Sequence, residues 1–224
     1  MPQREVLSPF QKKVLSVFSS IEESRAFHMT GGTALAAFFL GHRLSEDIDF
    51  FTPDEHLISV LAEKFKNALL SVGIQVSEIR NFRSFWEAVL TQGGESIKVQ
   101  LGYDSPFTLS DFVEELGLKV HSLQDIAAGK LLALYGRAEE RDFIDIYLLA
   151  RDGRLSLDEM IDLAKMKDPG LDEYYLAIAF EQSEKLPDDP AKLKVALLSQ
   201  VDPKDVKAFF ASKAVEILKK RRGV

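Results

Sequence analysis

The segment Met29-Thr30-Gly31-Gly32-Thr33-Ala34-Leu35-Ala36, resumed at Gly41-His42-Arg43-Leu44-Ser45-Glu46-Asp47-Ile48-Asp49-Phe50-Phe51, sets a strand, a glycine turn, a compact helix and a second strand in one short run. Ala26–Met29 reads as the first strand. Gly31-Gly32-Thr33 then opens a helix that runs through Leu40. That helix is apolar nearly all round and is expected to be buried, with Gly41 as its natural stop. Glycines let a backbone approach an anion closely, and the unpaired amides of a helix start favour phosphate. Thr33 can cap the helix or donate its hydroxyl to a phosphate oxygen. A plain tight turn between strand and helix needs the same residues, so the turn alone decides nothing.

Asp47-Ile48-Asp49-Phe50-Phe51 reads as the second strand, closed by Thr52-Pro53. Strand alternation sends both carboxylates to one face, about 6.5–7 Å apart, while Ile48 and Phe50 face the other way. Two acids beside an apolar core repel each other and resist burial unless a cation compensates. A hard cation such as Mg²⁺ takes oxygen ligands and shares them with substrate phosphates. Two such ions about 3.5–4 Å apart can organise an in-line displacement at phosphorus. The competing reading is a solvated edge strand whose acids discourage aggregation. What separates the two readings is linkage. Asp47 lies 14 residues after Thr33, enough for a helix to run out and a strand to return, which sets the turn beside the acids. Ser45 shares the acids' face if the strand begins there. Arg43 can contact phosphate or simply cap the loop.

Outward from this segment, Ser8 to about Ser24 reads as an amphipathic helix, with Ser8 as N-cap and Pro9 at its first position. Residues 54–72 form another, with Leu57, Val60, Leu61, Phe65, Leu69 and Val72 expected to face inward. Three strands follow at Gln75–Arg80, Ser84–Gln92 and Ser96–Tyr103, and Gly93-Gly94 marks a hairpin between the last two. Val120 can add a short strand. Ser122 then caps a helix through about Tyr135, and a further helix covers about Glu139–Ala150. The pattern stays helical from Ser156, punctuated by Pro169-Gly170, Pro187-Asp188-Asp189-Pro190 and Asp202-Pro203. The expected organisation is an α/β core over residues 1–121 and a helical C-terminal region over 122–224 that closes the site.

Bulk composition narrows the function classes. Apolar residues make up 46% and charged residues 28% of the 224, which is ordinary for a globular protein. Apolar runs such as Ala34–Leu40 are too short to span a bilayer. The start, Met1-Pro2-Gln3-Arg4-Glu5, is not an apolar signal segment, so a cytoplasmic location is expected. Without cysteine there is no disulfide, thiolate zinc site or cysteine nucleophile. The net charge of −7 disfavours indiscriminate nucleic-acid binding while leaving room for a local basic groove. Lys219-Lys220-Arg221-Arg222 is the densest positive run and reads as a solvated helix end. His28, His42, His56 and His121 are scattered without ligand spacing, which argues against zinc. Trp86 reads as a core residue.

A basic stripe appears later in the chain. If the helix is continuous, Lys130, Arg137 and Arg141 fall along one side, where they could neutralise a triphosphate, with Lys130 the best candidate for the contact. Arg141 and Asp145 are also an i,i+4 pair. Asp142 and Asp145 either orient basic groups or an acceptor, or hold two helices together.

The Gly31-Gly32-Thr33 turn, the His42-Arg43-x-Ser45-x-Asp47-x-Asp49-Phe50 segment and the Lys130…Arg137…Arg141-Asp142-x-x-Asp145 pattern resemble the AbiEii/AbiGii-type nucleotidyltransferase toxin family. This is a branch of the DNA-polymerase-β-like nucleotidyltransferase superfamily, and the resemblance covers roughly residues 26–150. It implies an α/β (α+β) fold with a mixed sheet flanked by helices and a helical C-terminal part. It also implies binding of Mg²⁺ (or Mn²⁺) with a nucleoside triphosphate, and transfer of a nucleotidyl group to an acceptor such as tRNA or another RNA. A paired antitoxin protein is implied as partner. On this reading Asp47 and Asp49 hold metal, Lys130 joins them in catalysis, and Gly31, Gly32, Thr33, Arg43, Ser45 and Arg137 bind nucleotide. A non-catalytic nucleotide-binding or protein-interaction module, or a metal-dependent phosphotransferase, would use the same scaffold.

The sequence departs from that pattern at the third acid, which such enzymes place on a neighbouring strand. Within Ile97-Lys98-Val99-Gln100-Leu101 the matching position is Gln100. A glutamine can hold a substrate but cannot take a proton as a carboxylate does. Asp104 lies on the same side if the strand continues, and it is also a natural turn residue before Ser105-Pro106.

Overall fold

The computed structural model describes residues 6–222, so the expectation drawn from Met1–Glu5 lies outside the described residues. The chain divides between Leu123 and Gln124 into two compact units.

The first unit is built on a seven-stranded mixed sheet. Its strands are β1 (His28–Thr30), β2 (Asp47–Thr52), β3 (Gln75–Phe82), β4 (Phe85–Gln92), β5 (Glu95–Tyr103), β6 (Val113–Glu115) and β7 (Leu118–Val120), in the order β3-β4-β5-β2-β1-β7-β6. β2 runs parallel to β5 and β1 parallel to β7, while the remaining neighbours are antiparallel. The β4–β5 hairpin turns on Gly93 and Gly94, both at positive φ (61° and 87°), as a tight two-residue connection requires. The β6–β7 hairpin turns on Leu116-Gly117, and the alternation pattern had indicated only Val120 there.

Helix α1 (Pro9–Ser19) starts from a capping box in which Ser8 and Gln11 satisfy each other's backbone N–H. It ends five residues before the expected Ser24, because Glu22–Ala26 tightens into a 3₁₀ turn that delivers the chain to β1. Phe18 from α1 lies face to face with Phe50 of β2, ring centroids 3.6 Å apart, and meets Phe65 edge-on at 5.2 Å. Phe65 belongs to α3 (His56–Ser71), so one aromatic cluster joins both helices to the inner face of the sheet. Each such fully buried ring stabilises the fold by roughly 1.5–3 kcal/mol. Ile58, Leu61, Ala62, Phe65 and Leu69 form the buried stripe of α3. Val60 and Val72, expected inside, are exposed instead, because the buried stripe runs through Ile58 and Ala62. Trp86 is fully buried, as expected, with its indole N–H donating to Glu78.

The second unit is helical: α4 (Leu123–Arg137), α5 (Glu140–Arg151), α6 (Leu157–Lys167), α7 (Glu173–Glu181) and α8 (Pro203–Arg222). Phe210 of α8 centres its core, with Phe143 and Phe180 at 5.0 and 5.1 Å between ring centroids. Ser156 and Glu159 form a second capping box at the start of α6. No helix among the described residues is long and apolar enough to cross a membrane.

Candidate active site

In β2, Ile48 and Phe50 are fully buried while Asp47 and Asp49 turn to the other, partly open face. Thr30 of β1 is the register partner of Asp49, and directly after it the chain bends into α2 (Gly31–Ala34), continued as a π-helical turn over Leu35–Leu40. Gly41 closes this segment at φ 64°, its N–H donating to Ala36 O at 2.8 Å. Leu35 and Ala36 are buried as expected, but the face from Ala37 to Leu40 is only half-buried.

The glycine turn and the acids meet. Gly31 sits at φ 78°, and a Cβ placed there would collide with the Asp49 carboxylate Oδ2. Both facts demand glycine: the left-handed backbone and the approach of a side-chain oxygen to the turn. Thr33 is buried, and its hydroxyl donates to the carbonyl of Asp47, docking the helix start on β2. The cap position belongs to Thr30 rather than Thr33. The loop before the acids is equally fixed. His42 and Arg43 are buried, Arg43 Nη1 donates to Leu44 O at 3.1 Å, and the Ser45 carbonyl accepts from Gln11 Nε2 of α1 at 2.6 Å. Gly31 and Thr33 therefore meet Asp49 and Asp47 within the first unit, with Gly32 between Gly31 and Thr33 in the turn and Ser45 in the loop that leads to Asp47.

The adjoining strands complete the face. Across β2–β5, Asp47 is registered with Lys98 and Asp49 with Gln100. Lys98 Nζ lies 3.3 Å from Asp47 Oδ1, and both side chains keep partial exposure, 35% and 26%. Across β5–β4, Gln100 is registered with Glu87. Glu87 is the acid that the sequence reading missed, because it lies on the strand beyond the one expected to carry it. Its Oε2 accepts from Gln100 Nε2 and from Arg80 Nη2, both at 2.6 Å. The Arg80 hydrogen bond, reinforced by that of Gln100 and by the Arg80 and Lys98 charges, holds the Glu87 carboxyl below its usual range against the opposing effect of burial. An ionised carboxylate only accepts, so it fixes the Gln100 amide with nitrogen toward Glu87 and leaves Oε1 as the acceptor. Asp104 belongs elsewhere: its Oδ1 accepts from Ser105 N, the turn role, and its Oδ2 faces His28.

The second unit holds its own charged cluster. Lys130 of α4 is buried, its Nζ 2.8 Å from Asp145 Oδ2 and 3.4 Å from Asp142 Oδ1, both acids on α5 and fully buried. Arg137 grips Asp142 with two bonds, Nε to Oδ2 at 2.8 Å and Nη2 to Oδ1 at 3.1 Å. Arg141 Nε lies 2.9 Å from Glu139. Lys130 and Arg137 join α4 to α5 through Asp142 and Asp145, which is one of the two roles the sequence left open for those acids, while Arg141–Glu139 is local to the start of α5.

The family model described as nucleotidyl transferase AbiEii toxin, Type IV TA system, matches residues 13–217. The chain belongs to the AbiEii nucleotidyltransferase toxin family. An uncharacterized protein of Aquifex aeolicus (strain VF5), aq_aa25, is 28% identical to this AbiEii-family chain over 168 residues, 72% of the chain and 76% of the relative. Among solved structures, JHP933 from Helicobacter pylori superposes with a TM-score of 0.62 at 21% identity, covering 96% of this chain and 94% of that one. MenT4, a nucleotidyltransferase toxin from Mycobacterium tuberculosis H37Rv, gives 0.57 at 17% identity, covering 94% and 82%. The AbiEii-family fold is thus the polymerase-β-like nucleotidyltransferase fold, a mixed sheet with flanking helices, and the general enzyme class is nucleotidyltransferase.

Proposed function

We propose that this chain transfers a nucleoside monophosphate from an NTP to an acceptor hydroxyl or phosphate and releases pyrophosphate, with Asp47 and Asp49 as its metal-binding carboxylates. The observation that carries the reading is the seating of the Asp49 carboxylate against Gly31, which sets a hard oxygen donor, with Asp47 two residues before it on the same face of β2, beside the glycine turn that opens α2. That donor set suits Mg²⁺ or Mn²⁺ better than a softer ion, since carboxylates are the ligands. When bound, the ion supplies charge neutralisation and orientation to the triphosphate.

The remaining roles follow from the residues of the first unit. Gly31 and Gly32 give close backbone approach to phosphate, and Thr33 holds the helix start rigidly on the acid strand. Lys98 and Arg80 place positive charge along the same face, while Arg43 and Ser45 shape the loop that presents Asp47. Gln100 contributes a neutral oxygen and no base. In the reaction a bond forms between the acceptor oxygen and the α-phosphorus as the bond to pyrophosphate breaks. Such a transfer depends mostly on positioning and charge stabilisation, so it proceeds without a third carboxylate beside Asp49. The acceptor we favour is RNA, notably tRNA, and the biological role that of a cytoplasmic toxin restrained by an antitoxin protein.

Gln100 also supports a second reading, nucleotide binding without turnover. One experiment separates the two: incubation with labelled NTPs, Mg²⁺ and total tRNA. Label transferred to RNA supports transfer, bound but unreacted NTP supports the second reading, and release of free phosphate would contradict both.

A further inference from the structure

The four histidines lack ligand spacing in the sequence, which argued against zinc, yet the sheet brings two of them together. β1 and β7 are parallel neighbours with His28 registered against Lys119 and Met29 against Val120, so His121 follows β7 beside Thr30. The His28 and His121 rings lie 3.9 Å apart, centroid to centroid, and both residues are only 3% exposed. Asp104 arrives from the exit of β5, anchored by its N–H to the Thr52 carbonyl at 3.0 Å. One ligand atom from each of His28, Asp104 and His121 falls within 4.8 Å of the others.

We propose that His28, His121 and Asp104 form a binding site for a first-row transition-metal ion of the Zn²⁺ type, separate from the Asp47/Asp49 pair. Three observations carry it. His28 Nε2 is buried without a hydrogen-bond partner and lies 3.8 Å from Asp104 Oδ2. A buried polar nitrogen left in this way is costly unless something else accepts its lone pair. A hydrogen bond would draw these atoms to about 2.9 Å, whereas two ligands of one tetrahedral zinc stand about 3.3 Å apart. The 3.8 Å gap is therefore nearer to two ligands flanking a shared ion than to a direct bond. Second, His121 Nδ1 lies 3.1 Å from Thr30 Oγ1. With Nδ1 donating there, Nε2 presents its lone pair, the orienting arrangement usual for histidine metal ligands. Third, Phe112 lies parallel to the His121 ring (5.5 Å, 2°) and 5.1 Å from the His28 ring, so a half-exposed ring covers the two imidazoles on one side.

Two imidazoles with one carboxylate select Zn²⁺, Co²⁺, Ni²⁺ or Fe²⁺ over Mg²⁺, so the ion class differs from that of the acid pair. Such an ion would cross-link β1, the residue that follows β7 and the exit of β5, tying the two strands that flank β2 to β7. This inference does not depend on nucleotidyl transfer.

The test is titration of the purified, chelator-stripped full chain with Co²⁺, followed by visible ligand-field absorption, and with Zn²⁺, followed by calorimetry and thermal melting. The expected result is one equivalent bound, a raised melting temperature, loss of both signals in His121→Gln, and at least about tenfold weaker binding in Asp104→Asn. Asp104 is substantially exposed, so its variant keeps the fold, and far-UV circular dichroism of all variants checks this. The Asp47→Asn/Asp49→Asn double variant should retain the Zn²⁺ equivalent. Absence of binding, or binding that survives His121→Gln and Asp104→Asn or disappears with the Asp47/Asp49 pair, overturns the proposal.

Discussion

Two clusters of lysine and aspartate in this chain use the same side chains for opposite ends. In the helical unit, Lys130 sits between Asp142 and Asp145, the lysine side chain 8% exposed and both acids fully buried. In the sheet unit, Lys98 meets Asp47 with both side chains a quarter or more exposed, and Asp49 lies against the backbone of Gly31. Burial decides the difference. A dry ion pair is closed: its groups satisfy one another, and removing one leaves an uncompensated charge inside the protein. A half-solvated pair is weakly held, so its carboxylate can exchange water for a cation and its ammonium can turn to a phosphate. The first cluster ties α4 to α5. The second has the properties of a site.

The sharpest way to break this comparison is to remove one charge from the closed cluster. Lys130→Met should cost about 3–5 kcal/mol in urea denaturation, because Asp142 and Asp145 lose the cation between them. A loss below about 1 kcal/mol would show that the buried cluster is not closed. In the open cluster, Asp47→Asn with Asp49→Asn should leave stability within about 1 kcal/mol but reduce nucleotidyl transfer by at least about 100-fold. Denaturation and a labelled-NTP assay on one preparation measure both. A smaller but more pointed effect is expected at Gly31→Ala. The positive φ and the collision with Asp49 should lower stability by about 1–2 kcal/mol and weaken Mg²⁺–NTP binding about tenfold.

The smallest effect concerns Glu87, whose carboxyl is held below its usual value chiefly by Arg80. A depressed carboxyl contributes stability above its unfolded pKa of 4.5 and loses it as pH falls through the lower folded value. Glu87→Gln should therefore destabilise by about 1 kcal/mol at pH 7, with the difference shrinking as the solution is acidified below pH 4.5. Parallel urea titrations at neutral and acidic pH check the sign; a difference that grows on acidification would contradict it.

The strand–turn–helix–strand segment was legible because each feature in it is local. A glycine turn, a compact helix ended by Gly41 and an Asp-x-Asp alternation are all set by residues close in the chain; that the helix runs on as a π turn over Leu35–Leu40 was not legible there. The Gly93-Gly94 hairpin and the Ser8 capping box were legible for the same reason. What escaped depends on strand order. Glu87 was missed although the Gly93-Gly94 hairpin sets β4 beside β5: it joins the acid face through the hairpin register, which pairs it with Gln100, two strands away from β2. His28 and His121 meet only because β1 runs parallel to β7. The inward face of α3 was misjudged at Val60 and Val72 because apolar residues occur on more than one side, and the packing of Phe65 against Phe18 chose the stripe.

Lys130 and Arg137 show the same limit from another direction. A basic stripe on a helix reads alike whether it awaits a phosphate or completes an ion pair. Only the structure shows that Asp142 and Asp145 on the following helix lie within reach of Lys130.

The central claim is that Asp47 and Asp49 form the metal–nucleotide site. Calorimetric titration of Mg²⁺–NTP into the full chain and into the Asp47→Asn/Asp49→Asn variant tests it most directly. The account predicts Mg²⁺-dependent binding to the native chain and its loss in the variant, with the melting temperature of the variant little changed. Unaltered Mg²⁺–NTP affinity in the folded variant would contradict it.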